Sequence, residues 1–280
     1  MIKTRKQKAG TFFTALMLII LGAFMFLPIY LTIVMSLKPQ EELFVFPPKL
    51  YTLRPTFDNF RSMFDSLDNN RVPFVRYLFN SIAVTFTVTF SQCIFVSMGA
   101  FVLAKCRFPF SKLINSVIIT ALLYQSNVIY IMQYTVMSKM GIIDSPLALI
   151  LPSIASPMGL FLMKQSISQM PDSIIESAKI DGAGLFRICW QIVIPNQKPA
   201  LMTLVIFAFQ ASWNIQGGSL VFQEQYKTLP TVITQISSSG IARAGETMAA
   251  SVFLLIPPVI VFMLAQRNVI DTMAHSGIKN

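Results

Sequence analysis

Side chains that can carry charge, pair or donate are concentrated in one stretch, PDSIIESAKIDGAGLFRICWQIVIPNQKP (171–199). There Asp172, Glu176, Lys179, Asp181, Arg187 and Lys198 interrupt a chain that is 54% hydrophobic and only 12% charged. Catalytic chemistry has little to work with. His275 is the only histidine and sits in a polar tail, which excludes a histidine-based catalytic or metal constellation within this chain. Cys93, Cys106 and Cys189 suggest neither a disulfide framework nor a metal site. There is no Gly-x-Ser-x-Gly elbow and no GxxxxGK(S/T) phosphate loop, and no glycine is followed by lysine. If ATP drives this protein, another subunit must bind it. The remaining candidates are uncharged: Thr85, Thr89 and Gln92, then Gln125, Ser126 and Asn127, then Gln210, Ser212, Trp213 and Asn214.

The elements that must hold these groups are membrane helices. An ordinary soluble domain carries about 25% charged residues, twice the fraction here, and the mean hydropathy is +0.62. A spanning helix needs about 17–25 apolar residues, because a charge at the bilayer centre costs roughly 2.5–3.5 kcal/mol. Six uncharged windows qualify: 9–37, 77–104, 113–138, 145–163, 200–222 and 247–266. The Ser- and Gly-rich run 228–242 is too short to span and is expected to be an extramembrane loop. The basic start MIKTRKQKAG resembles a secretory signal, but its apolar run exceeds the roughly 7–15 residues of a signal core. It is expected to stay as an anchor.

Lysine and arginine set the orientation. With the N-terminus inside, the inner segments hold 4, 3, 4 and 2 basic residues and the outer segments 6, 1 and 2. The inner AKCRFPFSK (104–112) has three bases and no acid, whereas the six bases between Lys38 and Arg76 are interspersed with five acids. The expected fold is therefore an all-α membrane protein of six spans with both termini cytoplasmic. Residues 1–10 form a basic N-terminus, 11–266 the transmembrane domain, and 267–280 a cytoplasmic tail. Outer loops cover 39–75 and 215–247, and a cytoplasmic loop covers 164–199. The net charge of +10 then lies almost wholly on the cytoplasmic face, and no nucleic acid is needed to explain it.

The charged stretch falls between the fourth and fifth spans. Pro171 suits a first helical turn, and Ile174, Ile175 and Ala178 share an apolar face. Gly182 can take the left-handed backbone that ends such a piece. A second amphipathic piece carries Leu185, Ile188, Cys189 and Ile192, stopped by Pro195, and Pro199 is placed to start the fifth span. Two short helices at an elbow are too charged to insert and too small to fold alone. Periodicity leaves two readings, a surface connector packed on the spans or a docking element for a cytoplasmic partner.

Glu176-Ser177-Ala178, Gly182 and Ile192-Val193-Ile194-Pro195 resemble the EAA loop of binding-protein-dependent ABC importer permeases. All spacings match; Ser177 replaces the second alanine and Ile194 a leucine. Asp181-Gly182-Ala183 is similar to the carbohydrate, maltose-permease-like branch, as are SLKPQEELFVFPP (36–48), PTFDNF (55–60), Asn80-Ser81, GIIDSPLALILP (141–152) and Ser212-Trp213-Asn214. The resemblance implies a type I importer permease fold with a coupling helix seated in an ATPase cleft. Glu176, Ser177, Ala178, Asp181, Gly182, Ala183 and Pro195 would form or support that contact. It also implies a second homologous permease subunit, two copies of a cytoplasmic ATPase that bind ATP and Mg, and an extracytoplasmic solute-binding protein. No cofactor is expected in this chain, and the location implied is a bacterial cell membrane. Outer loops would receive the binding protein, with the segment around Thr228-Leu229-Pro230 resembling a loop that reaches into it.

A sugar crossing the membrane needs uncharged hydrogen-bonding groups on helix faces. Thr85, Thr89, Gln92, Gln125, Asn127, Gln210, Trp213 and Asn214 are candidates, Trp213 as a stacking surface. The competing reading is that these polar residues join helices to one another and Trp213 marks an interface. Three functional classes stand: a sugar-importer permease, which the EAA-like loop favours; a secondary transporter, which would carry ionisable groups inside its spans; and a membrane enzyme or scaffold. None of the six windows contains Asp, Glu, Lys, Arg or His. The maltose-like branch points to an oligosaccharide.

Overall fold

A computed structural model describes residues 5–68, 72–123 and 126–276, and the described residues are helices and their connections. Three long helices are α1 (Arg5–Ser36), α4 (Phe74–Lys105) and α14 (Ala244–Ser276). At 1.5 Å per residue, 32 residues extend about 48 Å, more than the roughly 30 Å hydrocarbon core. Between them run α2 (Gln40–Leu43), α3 (Asp58–Asp68), α5 (Ser111–Leu123), α6 (Ser126–Lys139), α7 (Pro146–Ile154) and α8 (Pro157–Ser168). Next come α9 (Asp172–Ile180), α10 (Leu185–Arg187), a π-helical turn (Ile188–Val193), α11 (Ile194–Asn196), α12 (Lys198–Trp213) and α13 (Leu229–Ser238).

Four stretches among the described residues are long and apolar enough to cross a membrane: Phe12–Ser36, Phe74–Lys105, Pro146–Ser168 and Ile241–Gln266. The pair Leu185–Asn196 and Lys198–Trp213 makes a fifth if counted together, with a bend of 87°. The expected third span is not one described helix but α5 and α6. The fourth is broken at Ala155-Ser156, where the backbone is extended and Ser156 Oγ accepts the Gly159 N–H. Pro157 causes the break, since it has no N–H for the Ser153 carbonyl. The run 228–242, expected as a loop, contains α13. Leu229, Val232, Ile233 and Ile236 fall at helical spacing and are all buried, so burial of one face overrides the Ser-rich composition.

The chain divides into two compact units, residues 1–71 with 233–255 and residues 72–232 with 256–280. In the first, Asn59 Nδ2 donates to the carbonyls of Ser36 at 2.9 Å and Lys38 at 2.6 Å, satisfying acceptors at the end of α1. Phe60 and Phe64 meet Phe253 edge-on, and Met63 and Leu67 are buried. The outer segment 39–75 is thus anchored by α3 rather than being loop throughout.

In the second unit α4 is central. Its N-terminal half packs Val84 and Val88 with Leu149, Leu220 and Val221. Its C-terminal half packs Val96, Ala100 and Phe101 with Met163, Ile167, Ile188, Val193 and Leu204. Close packing needs small residues: a Cβ on Gly159 would lie 2.6 Å from Leu204 Cδ1. The segment 215–228 is held to the N-terminal end of α4 by Asn80, whose Nδ2 donates to the Gln225 and Lys227 carbonyls, and by Ser81 Oγ, which accepts from Leu229 N–H.

Candidate coupling elbow and solute cavity

The elbow is built from α9 and the turn after it. Pro171 precedes α9 in an extended conformation rather than occupying its first turn. Asp172 opens the helix and is paired by Lys105 Nζ at 2.6 Å, which also donates to the Met170 carbonyl at 2.5 Å. This fastens the elbow to the C-terminal end of α4. The Lys105 hydrogen bond and charge hold the Asp172 carboxyl below the usual carboxylate range. At the other end, Gly182 N–H donates to Lys179 O and Ala183 N–H to Ala178 O, a Schellman stop with Gly182 at φ +78°.

The expected coupling residues separate into two sets. Glu176, Ser177, Asp181, Gly182 and Pro195 are exposed, with Ser177 Oγ donating to the Ser173 carbonyl. Ala178 is buried with Ile175 in the chain's own core, and Ala183 packs against it. Their small size serves internal packing. Ile174, expected on the apolar face, is 39% exposed. Leu185, expected to face inward, is 55% exposed, and beside it stand Phe186 at 69% and Ile180 at 87%. Sequence periodicity missed this bare apolar trio around Gly182, because Ile180 closes α9 and Leu185 and Phe186 lie in α10, a single turn too short to set a face. Nor does Pro195 end the second piece. The chain continues to Asn196 and breaks at Gln197, whose Oε1 accepts from Ser166 Oγ at 2.5 Å. Pro199 does lie in the first turn of α12.

A second feature is a cavity of about 610 Å³ bounded by α4, α6, the α7–α8 break and the end of α12. Of the expected path residues, Gln92 and Asn214 line it. Thr85, Thr89 and Trp213 line a different, apolar cavity with Phe86, Pro257 and Ile260. Gln210 lines a third beside Pro258 and Phe262. Gln125 and the Asn127 side chain lie outside the described residues. Trp213 is buried and stacks on Phe209 at 5.9 Å, so no ring face is open to a sugar. Thr89 Oγ1 lies 3.3 Å from Ser212 Oγ, joining α4 to α12. Helix-joining thus accounts for Thr89, as the competing reading had it. Tyr130, Gln133, Ser153, Ser156 and Gln216 also line the first cavity. The prolines of PSIASP (152–157) are the sequence signal that could have found its wall.

The outer segment also differs from expectation. Thr228 and Leu229 are buried against the chain itself, with Thr228 Oγ1 donating to the Ile215 carbonyl. They do not project. Phe222 and Gln223 are among the exposed positions, and their N–H groups both donate to Asp144 Oδ1, at 2.9 and 2.8 Å. Those bonds, Gln223 first, hold the Asp144 carboxyl low.

Residues 66–275 match the family model described as binding-protein-dependent transport system inner membrane component. The chain belongs to this family. It is a multi-pass membrane permease of a binding-protein-dependent importer, of the carbohydrate-type ABC branch. The sn-glycerol-3-phosphate transport system permease protein UgpE of Yersinia enterocolitica is 31% identical over 271 residues, covering 91% of this chain and 92% of that protein. The protein of the same name from Escherichia coli O1:K1 is 28% identical, covering 95% and 96%. The fold is shared with a solved bacterial ABC transporter involved in import of the acidic polysaccharide alginate. The TM-score is 0.78 at 20% identity, over 95% of this chain and 99% of that one. Among family members this chain's role is transport, and the residues described above form no metal-holding group.

Proposed function

We propose that this permease is one half of a pair in an ATP-driven importer of a sugar, and that the elbow is its coupling element. The observation carrying this reading is the exposed apolar trio Ile180, Leu185 and Phe186 around the left-handed Gly182, flanked by Glu176 and Asp181. A membrane-surface connector would turn such side chains inward, whereas a docking point leaves them for a partner cleft. The partner ATPase, present twice, binds ATP and Mg and closes around the nucleotide. Closure moves the elbow, and Lys105 and Gln197 pass the movement to α4 and α12, switching the spans between inward- and outward-facing states.

In this reading the chain spans a bacterial cell membrane six times, with α5–α6 and α7–α8 as the third and fourth spans and both termini cytoplasmic. A solute-binding protein docks on the opposite face, at segments 39–75 and 215–247. The solute is a carbohydrate or polyol, as the names of the relatives suggest, and the maltose-like motifs favour an oligosaccharide. The test is co-purification of the tagged chain in mild detergent. A second permease and a P-loop ATPase, with hydrolysis stimulated by sugar-loaded binding protein, support the reading. A lone homo-oligomer without ATPase returns the elbow to the role of surface connector.

A further inference from the structure

Residues 106–110 join the end of α4, long and apolar enough to span, to the apolar α5, which has no buried residue. Even fully extended, this connector covers at most about 18 Å. With an apolar helix at each end it stays at the membrane surface. Residues 105–112 read KCRFPFSK, three bases without an acid. Lys105 is occupied by Asp172 and the Met170 carbonyl. Arg107 and Lys112 are exposed, and neither makes an ion pair among the described residues. After Lys105, Arg107 and Lys179 also act on the Asp172 carboxyl. Three cations about one carboxylate leave positive charge in excess at this surface.

Between the two free cations, Phe110 is 72% exposed and holds φ at +69°. A bulky L residue rarely adopts that left-handed backbone. The Phe110 carbonyl accepts the Ile114 N–H at 3.0 Å, so the strained residue sets the entry of α5. Leu113 at 61% and Val117 at 59% continue the bare apolar surface along that helix.

We propose that this turn is a docking site for anionic phospholipid. Arg107 and Lys112 take the headgroup phosphate, and Phe110 enters the acyl boundary beside it. A guanidinium matches phosphate with paired N–H donors, and lysine adds a point charge on a flexible stem. Cations immediately beyond a spanning helix meet the negative surface of a membrane, and an aromatic among them gains apolar burial there. Charge complementarity selects the occupant, because a phosphatidylcholine headgroup carries its own cation and phosphatidylglycerol does not. A soluble protein partner would have to reach a connector too short to leave the surface. The inference needs only that α4 and α5 meet a membrane, and it stands whether or not an ATPase co-purifies.

The test places a nitrobenzoxadiazole label on Phe110→Cys in a chain whose Cys93, Cys106 and Cys189 are replaced by serine. The chain, with the subunits that co-purify on it, is reconstituted in phosphatidylcholine vesicles. Trace phosphatidylglycerol or phosphatidylcholine, each carrying an acyl-chain nitroxide, is then added as quencher. Quenching by the anionic lipid should exceed that by the zwitterionic one at least threefold, and the ratio should fall towards one in Arg107→Gln/Lys112→Gln. Gel filtration confirms that each variant is intact, and Lys112→Gln alone, which should also lower the ratio, serves where the double variant is not. Equal quenching by both lipids, or a ratio unchanged in the variants, overturns the inference. A label quenched by aqueous iodide alone, or shielded from lipid and iodide alike, overturns it too, because water or protein then covers the turn. A ratio abolished by inorganic phosphate would assign the cations to the free ion and likewise overturn the lipid site.

Discussion

Gly182 holds φ at +78°, and a Cβ placed there meets nothing within 4 Å. Substitution is therefore penalised by the backbone and not by crowding. Gly182→Ala should cost about 1–2 kcal/mol of elbow stability. Because that turn presents Ile180, Leu185 and Phe186, ATP-driven uptake should fall severalfold while the chain still inserts; wild-type uptake with Gly182→Ala would separate the turn from coupling. Adding Glu176→Lys and replacing Gly182 by proline should abolish transport. A second residue-scale effect concerns pH. Asp172 has its carboxyl lowered by the Lys105 hydrogen bond and charge. With the folded value below the unfolded value of about 3.9, the pair stabilises fully above that value and is lost as pH falls through the lower folded one. Thermal unfolding in detergent should show wild type losing its advantage over Lys105→Met as pH drops from 6 to 3. The difference is small because Asp172 is largely exposed.

At the scale of elements, Asn59 binds α3 to the last carbonyl of α1 and to that of Lys38 just beyond it through two hydrogen bonds. Asn59→Ala leaves both acceptors unmet in a buried place and should destabilise this packing by about 1–3 kcal/mol, read as a lowered melting temperature and faster proteolysis within 39–57. That role was hidden in the sequence, where PTFDNF was legible as a family resemblance but not as a helix start with a tie. Long apolar runs made α1, α4 and α14 legible, because length and absence of charge decide spanning. The EAA-like spacing located the elbow to the residue. Which side its helices present was harder to read. Ala178 keeps the apolar face its spacing gave it and is buried, whereas Leu185, expected inward with Ile188, Cys189 and Ile192, is exposed in a single helical turn that runs into the π-helical turn, where the 3.6-residue period is lost. The cavity wall was half legible. Gln92 stood out as a polar residue in a span, yet its partner is a backbone carbonyl freed by Pro157, and Thr85, Thr89 and Trp213 looked equivalent until packing placed them elsewhere.

At the scale of the whole molecule, the second compact unit holds the elbow and the 215–228 segment along one helix. Asn80 holds the segment 225–227 at one end of α4 and Lys105 holds residues 170–172 at the other. Twenty-five residues separate these anchors, about 38 Å at 1.5 Å per residue, which exceeds the roughly 30 Å hydrocarbon thickness. A membrane crossed by α4 must therefore have the elbow on one side and the 215–228 segment on the other. The proposed orientation, from the basic, acid-free 104–112 segment, puts the elbow side in the cytoplasm. Single cysteines at exposed Ile180 and Gln223, in a chain lacking Cys93, Cys106 and Cys189, report on this directly. In intact cells a membrane-impermeant maleimide should label Gln223→Cys and spare Ile180→Cys until the membrane is permeabilised. Labelling of both from outside would remove α4 as a spanning helix. The reverse pattern would invert the orientation, and the elbow could not then meet a cytoplasmic ATPase.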